Sequence, residues 1–281
     1  MPEVRASDGV RIRYDDVGQG DTPLLFIPAW CSGRDVFRTL VPRCAERHRV
    51  LCVDLRGHGD SERGTGDFDS GTVLDDLLAV LKASGARRVV PVCIATAGYW
   101  AVDLHREWGP RRVPHLVLLD WLVTEPPAAF ASLLRGLMSE RWGRARDELL
   151  ETWAHGVEHP DVLRTLRVDM REVPEEMWAR AAREITASQA RHGTPLRALA
   201  GLSPAPTTLH LYAQPDTREY LEEQVAFSAT HPWFHVMKLP SVSHLPSLEV
   251  PDLVAAGIDA LVSGQRTTLR TGPHVGSDSQ D

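Results

Sequence analysis

Short apolar runs alternate with helical patterns in the first third of the chain. Four runs are apolar almost without interruption, at 24–27, 50–53, 89–93 and 116–119. Such runs predict strands of a parallel sheet that is covered on both faces. Residues 72–84 carry apolar side chains at the spacing of one helix face, which predicts a helix packed on the sheet. This alternation predicts an α/β fold with a mostly parallel sheet.

The pattern changes in the middle of the chain. Over 124–199, charged amphipathic patterns that contain tryptophan follow a Pro-Pro pair, and strand patterns are missing. Strand patterns return at 208–212 and 234–239, and a last amphipathic helix pattern covers 252–262. We therefore expect a helical cap inserted between two parts of one core.

These patterns divide the chain into a core, a cap and a tail. We predict that the core comprises 1–123 and 200–265 and that the helical cap comprises 124–199. Residues 266–281 are rich in Ser, Thr, Gly and Asp, a composition that predicts a disordered tail.

Composition excludes several classes of protein. With 281 residues, 43% hydrophobic and 25% charged, the chain has the composition of one large globular unit and not of a disordered, collagen-like or coiled-coil protein. The net charge is −7 and both signs are mixed, so neither nucleic acid nor an anionic membrane is an expected partner. No stretch reaches the roughly 18–20 apolar residues that cross a bilayer. We expect a cytoplasmic protein.

The cysteines predict buried thiols. Cys31, Cys44, Cys52 and Cys93 lie in apolar surroundings and form no CxxC pair. This pattern favours packed thiols in a reducing compartment over disulfides or a zinc site. We expect neither a metal site nor a cofactor from them.

One string indicates the fold and not the reaction. Residues 54–61 read Asp-x-Arg-Gly-x-Gly-x-Ser directly after the second apolar run. The α/β-hydrolase fold usually leaves its fourth strand in this way. We interpret Asp54, Arg56 and His58 as residues that hold a loop together, because fold and chemistry are separate conclusions.

The next motif lies where an α/β hydrolase carries its nucleophile, in a G-x-S-x-G turn between strand and helix. Residues 91–98 read Pro-Val-Cys-Ile-Ala-Thr-Ala-Gly, which places Ala95 at the position of the serine. Alanine has no nucleophilic atom, so an ordinary acyl-enzyme cannot form there. Cys93 belongs to the apolar strand and Thr96 should point away from the apex, so neither is favoured as a nucleophile. We expect the Thr96 backbone N–H to form half of an oxyanion hole.

The second oxyanion donor of this fold comes from the loop after the first apolar run. Its position falls at Trp30, within 27–32. A core aromatic is the alternative interpretation of Trp30. We expect Trp30 to line the pocket and to donate its backbone N–H.

A base with an acid partner is expected near the end of the chain. His244 follows the last strand pattern and precedes the last helix pattern, where α/β hydrolases keep their catalytic histidine. Two acids are candidates: Asp216 at the usual position and Asp120 one strand earlier. An imidazole oriented by a carboxylate is a general base without a serine. The pattern therefore predicts direct removal of a proton from a substrate, with the oxyanion amides holding the anion.

Several uncommon strings lie along most of 22–262. They read Pro-x-Trp-Cys at 28–31, Leu-Asp-Trp-Leu at 119–122, His-Pro-Trp-Phe at 231–234 and Ser-His-x-Pro at 243–246. Together they resemble the cofactor-independent 2,4-dioxygenases of the α/β-hydrolase fold, which open the heterocycle of 3-hydroxy-4-quinolones and release carbon monoxide.

This resemblance implies roles for four residues. Asp120 would be the acid, and His244 would take the substrate's hydroxyl proton before the anion reacts with O2 without metal or flavin. Trp153 matches a cap tryptophan that shapes the pocket in that family, although packing within the cap is an equal interpretation. Trp121, next to the acid, is expected in the same pocket.

The chain departs from the family at three positions. Ala95 replaces a serine, Thr96 replaces a histidine, and Ser32 replaces a histidine after the Trp-Cys pair. We expect Ala95 and Ser32 to line the substrate pocket. The loss of three polar groups predicts a pocket reshaped for another ring system or another reaction.

Four functions follow in order of preference. The first is a cofactor-free oxygenase whose partners are a hydroxylated heteroaromatic, quinolone-like substrate and O2. The second is a non-oxidative decarboxylase, lyase or cyclase of secondary metabolism that uses the same base. A binding protein without catalysis is disfavoured because binding does not require an oriented base. Ordinary hydrolysis comes last.

Overall fold

A mostly parallel sheet forms the centre of the molecule. The computed structural model describes residues 1–264, so the predicted tail at 266–281 lies outside the described residues. Within them, the strand order is β1-β2-β4-β3-β5-β6-β7-β8. The strands are β1 (Glu3–Arg5), β2 (Arg11–Val17), β3 (Leu24–Ile27), β4 (Val50–Val53), β5 (Val90–Ile94), β6 (His115–Leu119), β7 (Thr207–Tyr212) and β8 (Phe234–Lys238).

The apolar runs form the buried strands, as predicted. Every residue of β3, β4 and β5 is buried, and these strands pair in parallel. The antiparallel pair of β1 and β2 was not predicted. Strand β2 alternates Arg11, Ile12, Arg13 and Tyr14, so only one of its faces is apolar, and β1 is three residues long. Short strands with mixed polarity give little signal before their partner is known.

Helices cover both faces of the sheet. Further helices form the region predicted as the cap. They are α1 (Leu40–Ala45), α2 (Ser70–Ala83), α3 (Gly98–Trp108), α4 (Ala128–Leu137), α5 (Trp142–Ala154), α6 (Pro160–Arg167), α7 (Glu175–His192), α8 (Pro195–Ala200), α9 (Arg218–Thr230), α10 (Pro246–Glu249) and α11 (Pro251–Val262). Helix α2 begins two residues before the predicted start because Asp69 caps it by accepting the Thr72 N–H at 2.9 Å.

The predicted cap region is helical from Ala128 to Ala200. Helix α7 is tied to the core, since the Arg180 guanidinium lies 4.0 Å from the centroid of the Phe68 ring. In the next turn of α7, Glu184 accepts the backbone N–H of Ser70 at 2.9 Å. The division of the chain into core and cap stays a prediction.

The loop after β4 is held by its polar side chains, as interpreted from the sequence. The Asp54 carboxylate accepts the backbone N–H groups of Arg34 and Asp60 at 2.8 and 2.9 Å. Arg56 donates two hydrogen bonds of 2.7 Å to the buried Asp76 carboxylate. These contacts fix the loop against its neighbours.

All four thiols are buried and unbridged. Burial raises the pKa of Cys44 to about 12 and raises the pKa of Cys93 further above its usual value. A thiol that stays protonated is a poor nucleophile, which agrees with the packing role expected for Cys93.

No helix within residues 1–264 has the length and apolar character to cross a membrane.

Candidate active site

Backbone strain is concentrated at the carboxyl edge of the sheet. Among residues 1–264, three residues other than glycine have a positive φ: Cys31 at 63°, Ala95 at 48° and Asp120 at 48°. They follow β3, β5 and β6. Left-handed backbone is costly for side chains with a Cβ and persists where the surroundings enforce it, which is common at functional sites.

A cavity of about 710 Å³ opens at this edge, and all three strained residues line it. The segment between β6 and β7 contributes much of its apolar wall. Apolar side chains that line the cavity from this segment include Phe130, Leu133, Leu137, Leu149, Trp153 and Met170. Its size and apolar character suit an aromatic small molecule with an apolar substituent.

His244 and Asp120 form a hydrogen-bonded dyad at the cavity. The His244 Nδ1 lies 2.5 Å from the Asp120 Oδ2. Asp120 is fully buried, and its Oδ1 accepts the backbone N–H groups of Ala213 and Gln214 at 2.6 and 2.9 Å. A carboxylate that accepts these bonds assigns the proton of the neutral imidazole to Nδ1. The Nε2 lone pair, on the other side of the ring, is then available as a base.

The loop that presents His244 is itself fixed. Glu249 accepts the backbone N–H groups of Val242 and Ser243 at 3.0 and 2.8 Å and the Ser241 hydroxyl at 2.7 Å. Burial acts to raise the pKa of Glu249, but the hydrogen bonds from Ser243, Val242 and Ser241 outweigh it and hold the pKa below its usual value. The ionised carboxylate therefore anchors the residues just before His244.

Of the two candidate acids, Asp120 is the one that contacts His244. Asp216 is exposed and its carboxylate pairs with the Lys238 ammonium, so it is not the partner of His244. Asp120 takes that place because β6 ends beside β7 and next to the loop that carries His244.

The nucleophile elbow is present but carries alanine. Ala95 stands at the apex, a short 3-10 turn covers Ala95–Ala97, and α3 begins at Gly98. A Cβ added at Gly98 would lie 2.2 Å from the Trp121 ring, so only glycine permits this packing. Ala95, Thr96 and Trp121 line the cavity.

The turn after β3 combines a core side chain with a backbone at the cavity. The Trp30 indole is 6% exposed, and its centroid lies 5.2 Å from that of Trp100. Trp30 is therefore a core aromatic, and it also lines the cavity, so both interpretations of this residue apply. The next residue, Cys31, donates its N–H to the Nε2 of His58 at 3.0 Å.

His58 holds that turn, which is a partner that sequence reasoning did not identify when it interpreted His58 as a loop tie. Its Nδ1 lies 3.0 Å from the carbonyl oxygen of Arg56, so Nδ1 carries the proton and Nε2 accepts from Cys31. Burial lowers the pKa of His58 to about 4, which keeps the ring neutral and able to accept. The string at 54–61 predicted a loop tie, but the partner 27 residues away was not visible in it.

One expected pocket residue lies elsewhere. Ser32 is not among the residues that line the cavity, and its hydroxyl donates to the Ala29 carbonyl at 2.9 Å. The expectation that Ser32 lines the pocket is therefore wrong. The tight turn at Cys31 directs the hydroxyl back to its own loop, which satisfies it locally.

Trp153 covers the base. Helix α5 places its indole against the His244 imidazole, with ring centroids 4.6 Å apart and an interplanar angle of 27°. Trp153 thus faces the cavity and is not only packed against the neighbouring helices.

Within residues 1–264, no group of three His, Cys, Asp or Glu side chains is placed to hold a metal ion.

Comparison with known proteins first defines the class. The chain matches the model of the Alpha/beta hydrolase family over residues 24–257. It is 34% identical to the 1H-3-hydroxy-4-oxoquinoline 2,4-dioxygenase of Pseudomonas putida, covering 89% of this chain and 96% of that protein. It is 31% identical to the 2-heptyl-3-hydroxy-4(1H)-quinolone dioxygenase of Mycobacteroides abscessus, covering 95% of this chain and all of that protein.

A solved structure is also similar to this chain over most of its length. An AqdC variant in complex with its substrate, from work on recognition and ring cleavage of the Pseudomonas quinolone signal, matches with a TM-score of 0.89 at 29% identity. The match covers 94% of this chain and 99% of that one. The chain belongs to the α/β-hydrolase-fold family of 3-hydroxy-4-quinolone 2,4-dioxygenases.

Proposed function

We propose that this protein is a cofactor-independent dioxygenase in which His244 deprotonates a hydroxylated, quinolone-like heteroaromatic that then reacts with O2. The observation that carries the proposal is the His244–Asp120 dyad at a cavity whose elbow apex is Ala95. An oriented base that meets no nucleophilic hydroxyl at the apex can take its proton from the substrate.

The proton transfer follows from the dyad. The substrate hydroxyl gives its proton to Nε2 of His244, and the resulting imidazolium donates from Nδ1 to Asp120. The buried carboxylate also accepts the amide N–H groups of Ala213 and Gln214, and its role is to stabilise the imidazolium without taking the proton. The electrons of the substrate anion then reduce O2, whose two atoms bond to C2 and C4 of the ring, as the family resemblance implies. The two ring bonds to C3 break, C3 leaves with its oxygen as carbon monoxide, and the imidazolium returns its proton to the ring-opened product.

The anion needs donors of its own. We assign this role to the backbone N–H groups of Trp30 and Thr96, both of which belong to residues that line the cavity. Support comes from the strained backbone at Cys31 and Ala95, which lies beside each donor. Donors that are already oriented can stabilise developing charge without reorganisation.

The cavity favours a substrate with an apolar substituent. Relatives include enzymes named for 3-hydroxy-4-oxoquinoline and for its 2-heptyl derivative. In this chain the wall from the cap is apolar, with Phe130, Leu133 and Leu149 facing the cavity. Burial of an alkyl chain there contributes favourable transfer free energy, so a 2-alkyl-3-hydroxy-4-quinolone is the preferred substrate class.

Oxygen uptake tests the proposal. Metal-free protein is supplied with 3-hydroxy-4-quinolone and with its 2-heptyl derivative, and O2 and carbon monoxide are measured. We expect uptake without added metal, flavin or nicotinamide, faster at low concentration for the heptyl compound. His244→Ala should abolish it, whereas His231→Ala, at a partly exposed histidine outside the cavity lining, should retain it.

Two results would contradict the proposal. Conversion of a substrate while the O2 concentration stays constant would assign His244 to a non-oxidative step, such as decarboxylation. Uptake that survives in His244→Ala would remove the base from the reaction.

A further inference from the structure

A tyrosine outside the cavity lining reaches the turn that carries the acid. Tyr220 belongs to α9 and is 5% exposed. Its hydroxyl donates to the backbone carbonyl of Trp121 at 2.8 Å and accepts the backbone N–H of Val123 at 3.0 Å. One buried hydroxyl therefore satisfies both backbone groups on the two sides of Leu122.

This turn starts at a strained residue. Asp120 has a φ of 48°, and its own N–H donates to the Leu211 carbonyl at 2.9 Å. The strained backbone persists only if contacts on both sides define it. Leu211 fixes the side towards β7, and Tyr220 fixes the side that leads into the cap.

The same short segment also holds the carboxylate. The amides of Ala213 and Gln214 bond to the Asp120 Oδ1, and four residues further α9 begins. Thr217 caps that helix by accepting the Tyr220 N–H at 3.3 Å. Residues 213–220 thus hold the side chain of Asp120 and the backbone of the turn that follows it.

The hydroxyl is suited to a permanent structural role. Burial raises the pKa of the Tyr220 phenol far above its usual value, so the group remains a donor. It is not among the groups that line the cavity, so it does not meet the substrate. Its effect on the reaction must pass through the turn that it holds, which begins at Asp120.

We propose that Tyr220 is a positioning residue that aligns the Asp120 carboxylate with His244. Loss of its hydroxyl frees the Trp121–Val123 turn, and the Asp120 backbone can relax from its strained conformation. The hydrogen bond between Asp120 and Nδ1 of His244 then lengthens. The activity part of this proposal rests on the proposed function.

The chain supplies a matched control. Tyr212 lies in β7, and its ring meets the Tyr220 ring edge to face with centroids 5.1 Å apart. Its hydroxyl is buried and has no hydrogen-bond partner within residues 1–264. Tyr212→Phe and Tyr220→Phe therefore remove the same atom from neighbouring rings, but only the second removes hydrogen bonds.

The experiment compares these two variants with wild type by steady-state kinetics and by proton NMR. For Tyr220→Phe we expect kcat to fall by about ten- to a hundredfold with KM within about twofold, because misalignment affects the reaction and not binding. The acidic limb of the pH profile should move to lower pH, since the imidazolium loses part of its carboxylate stabilisation. The low-field resonance of the Nδ1 proton should move upfield, and Tyr212→Phe should change none of these.

A milder variant covers the case in which Tyr220→Phe folds poorly. Thr217→Ala removes only the cap of α9 and should shift the Nδ1 proton resonance in the same direction by a smaller amount. If the resonance and the titration of His244 are unchanged in Tyr220→Phe, the proposal is overturned, whether or not wild type consumes O2. If both shift while no quinolone is oxidised, the positioning role stands and the proposed function fails.

Discussion

One missing oxygen atom decides what the dyad can do. An α/β hydrolase with serine at the elbow would direct the lone pair of its histidine to that hydroxyl and form an acyl-enzyme. Ala95 keeps the strained φ of 48° but offers only a methyl group. The Nε2 of His244 is therefore free to act on a bound molecule, while Asp120 keeps the ring in one tautomer.

The first prediction concerns the acid. Asp120→Asn keeps the shape of the side chain but presents an amide that can favour the wrong tautomer of His244. We expect the rate of substrate oxidation to fall by about 10³- to 10⁴-fold, as for the acid of a catalytic triad. Stopped-flow measurement of substrate deprotonation under nitrogen checks this without the oxygen step.

Asp216→Asn is the matched control, since it changes the same atoms at the exposed carboxylate that pairs with Lys238. We expect the rate to stay within about twofold of wild type, because surface pairs contribute little. A larger loss in Asp216→Asn than in Asp120→Asn would assign the acid to the usual hydrolase position instead.

Strand ends and a helix from the segment between β6 and β7 meet at His244. The three strained residues follow β3, β5 and β6, whereas α5 places the Trp153 indole against the His244 ring. A flat aromatic ring 4.6 Å from the imidazole excludes water from one of its faces and narrows the space in which a planar substrate can lie. Helix α5 therefore takes part in shaping the site.

The second prediction tests this contribution of α5. Trp153→Ala removes the stacked ring, and we expect KM for a 3-hydroxy-4-quinolone to rise about tenfold, a free energy of about 1.4 kcal/mol. Trp153→Phe retains an aromatic face and should recover most of the affinity. Isothermal titration under nitrogen measures binding alone. Equal affinities of the alanine and phenylalanine variants would show that stacking is not what Trp153 contributes.

The stability of the whole molecule in acid depends on two histidines that are buried in the neutral form. Burial lowers the pKa of His58 and of His210 to about 4. His58 holds the turn after β3, and the Nδ1 of His210 lies 2.6 Å from the Oε1 of Gln224. Because the native state resists protonation at these sites and the unfolded state does not, acid favours unfolding.

The third prediction follows from the sign of these shifts. As the pH falls from about 6.5 to about 4, the unfolded chain binds protons that native His58 and His210 do not, so the free energy of unfolding falls. Each histidine contributes a slope of up to about 1.4 kcal/mol per pH unit in this range. Urea unfolding measured at several pH values reports the total slope.

His210→Asn places an amide nitrogen where Nδ1 stood and removes one titrating group. Its slope between these pH values should be smaller than that of wild type by up to about 1.4 kcal/mol per pH unit, whatever its absolute stability. Identical slopes in wild type and His210→Asn would contradict the buried, neutral state of His210.

The elements could be predicted from the sequence because their signals are local. The bounds of β3 and β4 agree with the apolar runs, and α2 shows its apolar stripe within one window. The positions of Ala95 and His244 also follow from order along the chain, since the elbow and the histidine loop each stand next to a recognisable strand. Strand β2 was not predicted, because its alternating pattern indicates a strand clearly only once its pairing with β4 is known.

Contacts between distant residues were decided by the tertiary structure alone. Asp120 and His244 are 124 residues apart, and Tyr220 lies 99 residues from the carbonyl that it holds. The resemblance of the string at 119–122 implied Asp120, but position after a strand does not distinguish Asp120 from Asp216, because both follow a strand and both are carboxylates. The sheet order places β6 beside β7, which brings one acid to the base and leaves the other in solvent. The sequence determined which chemical groups this protein possesses, and the packing of its strands determined which of them meet.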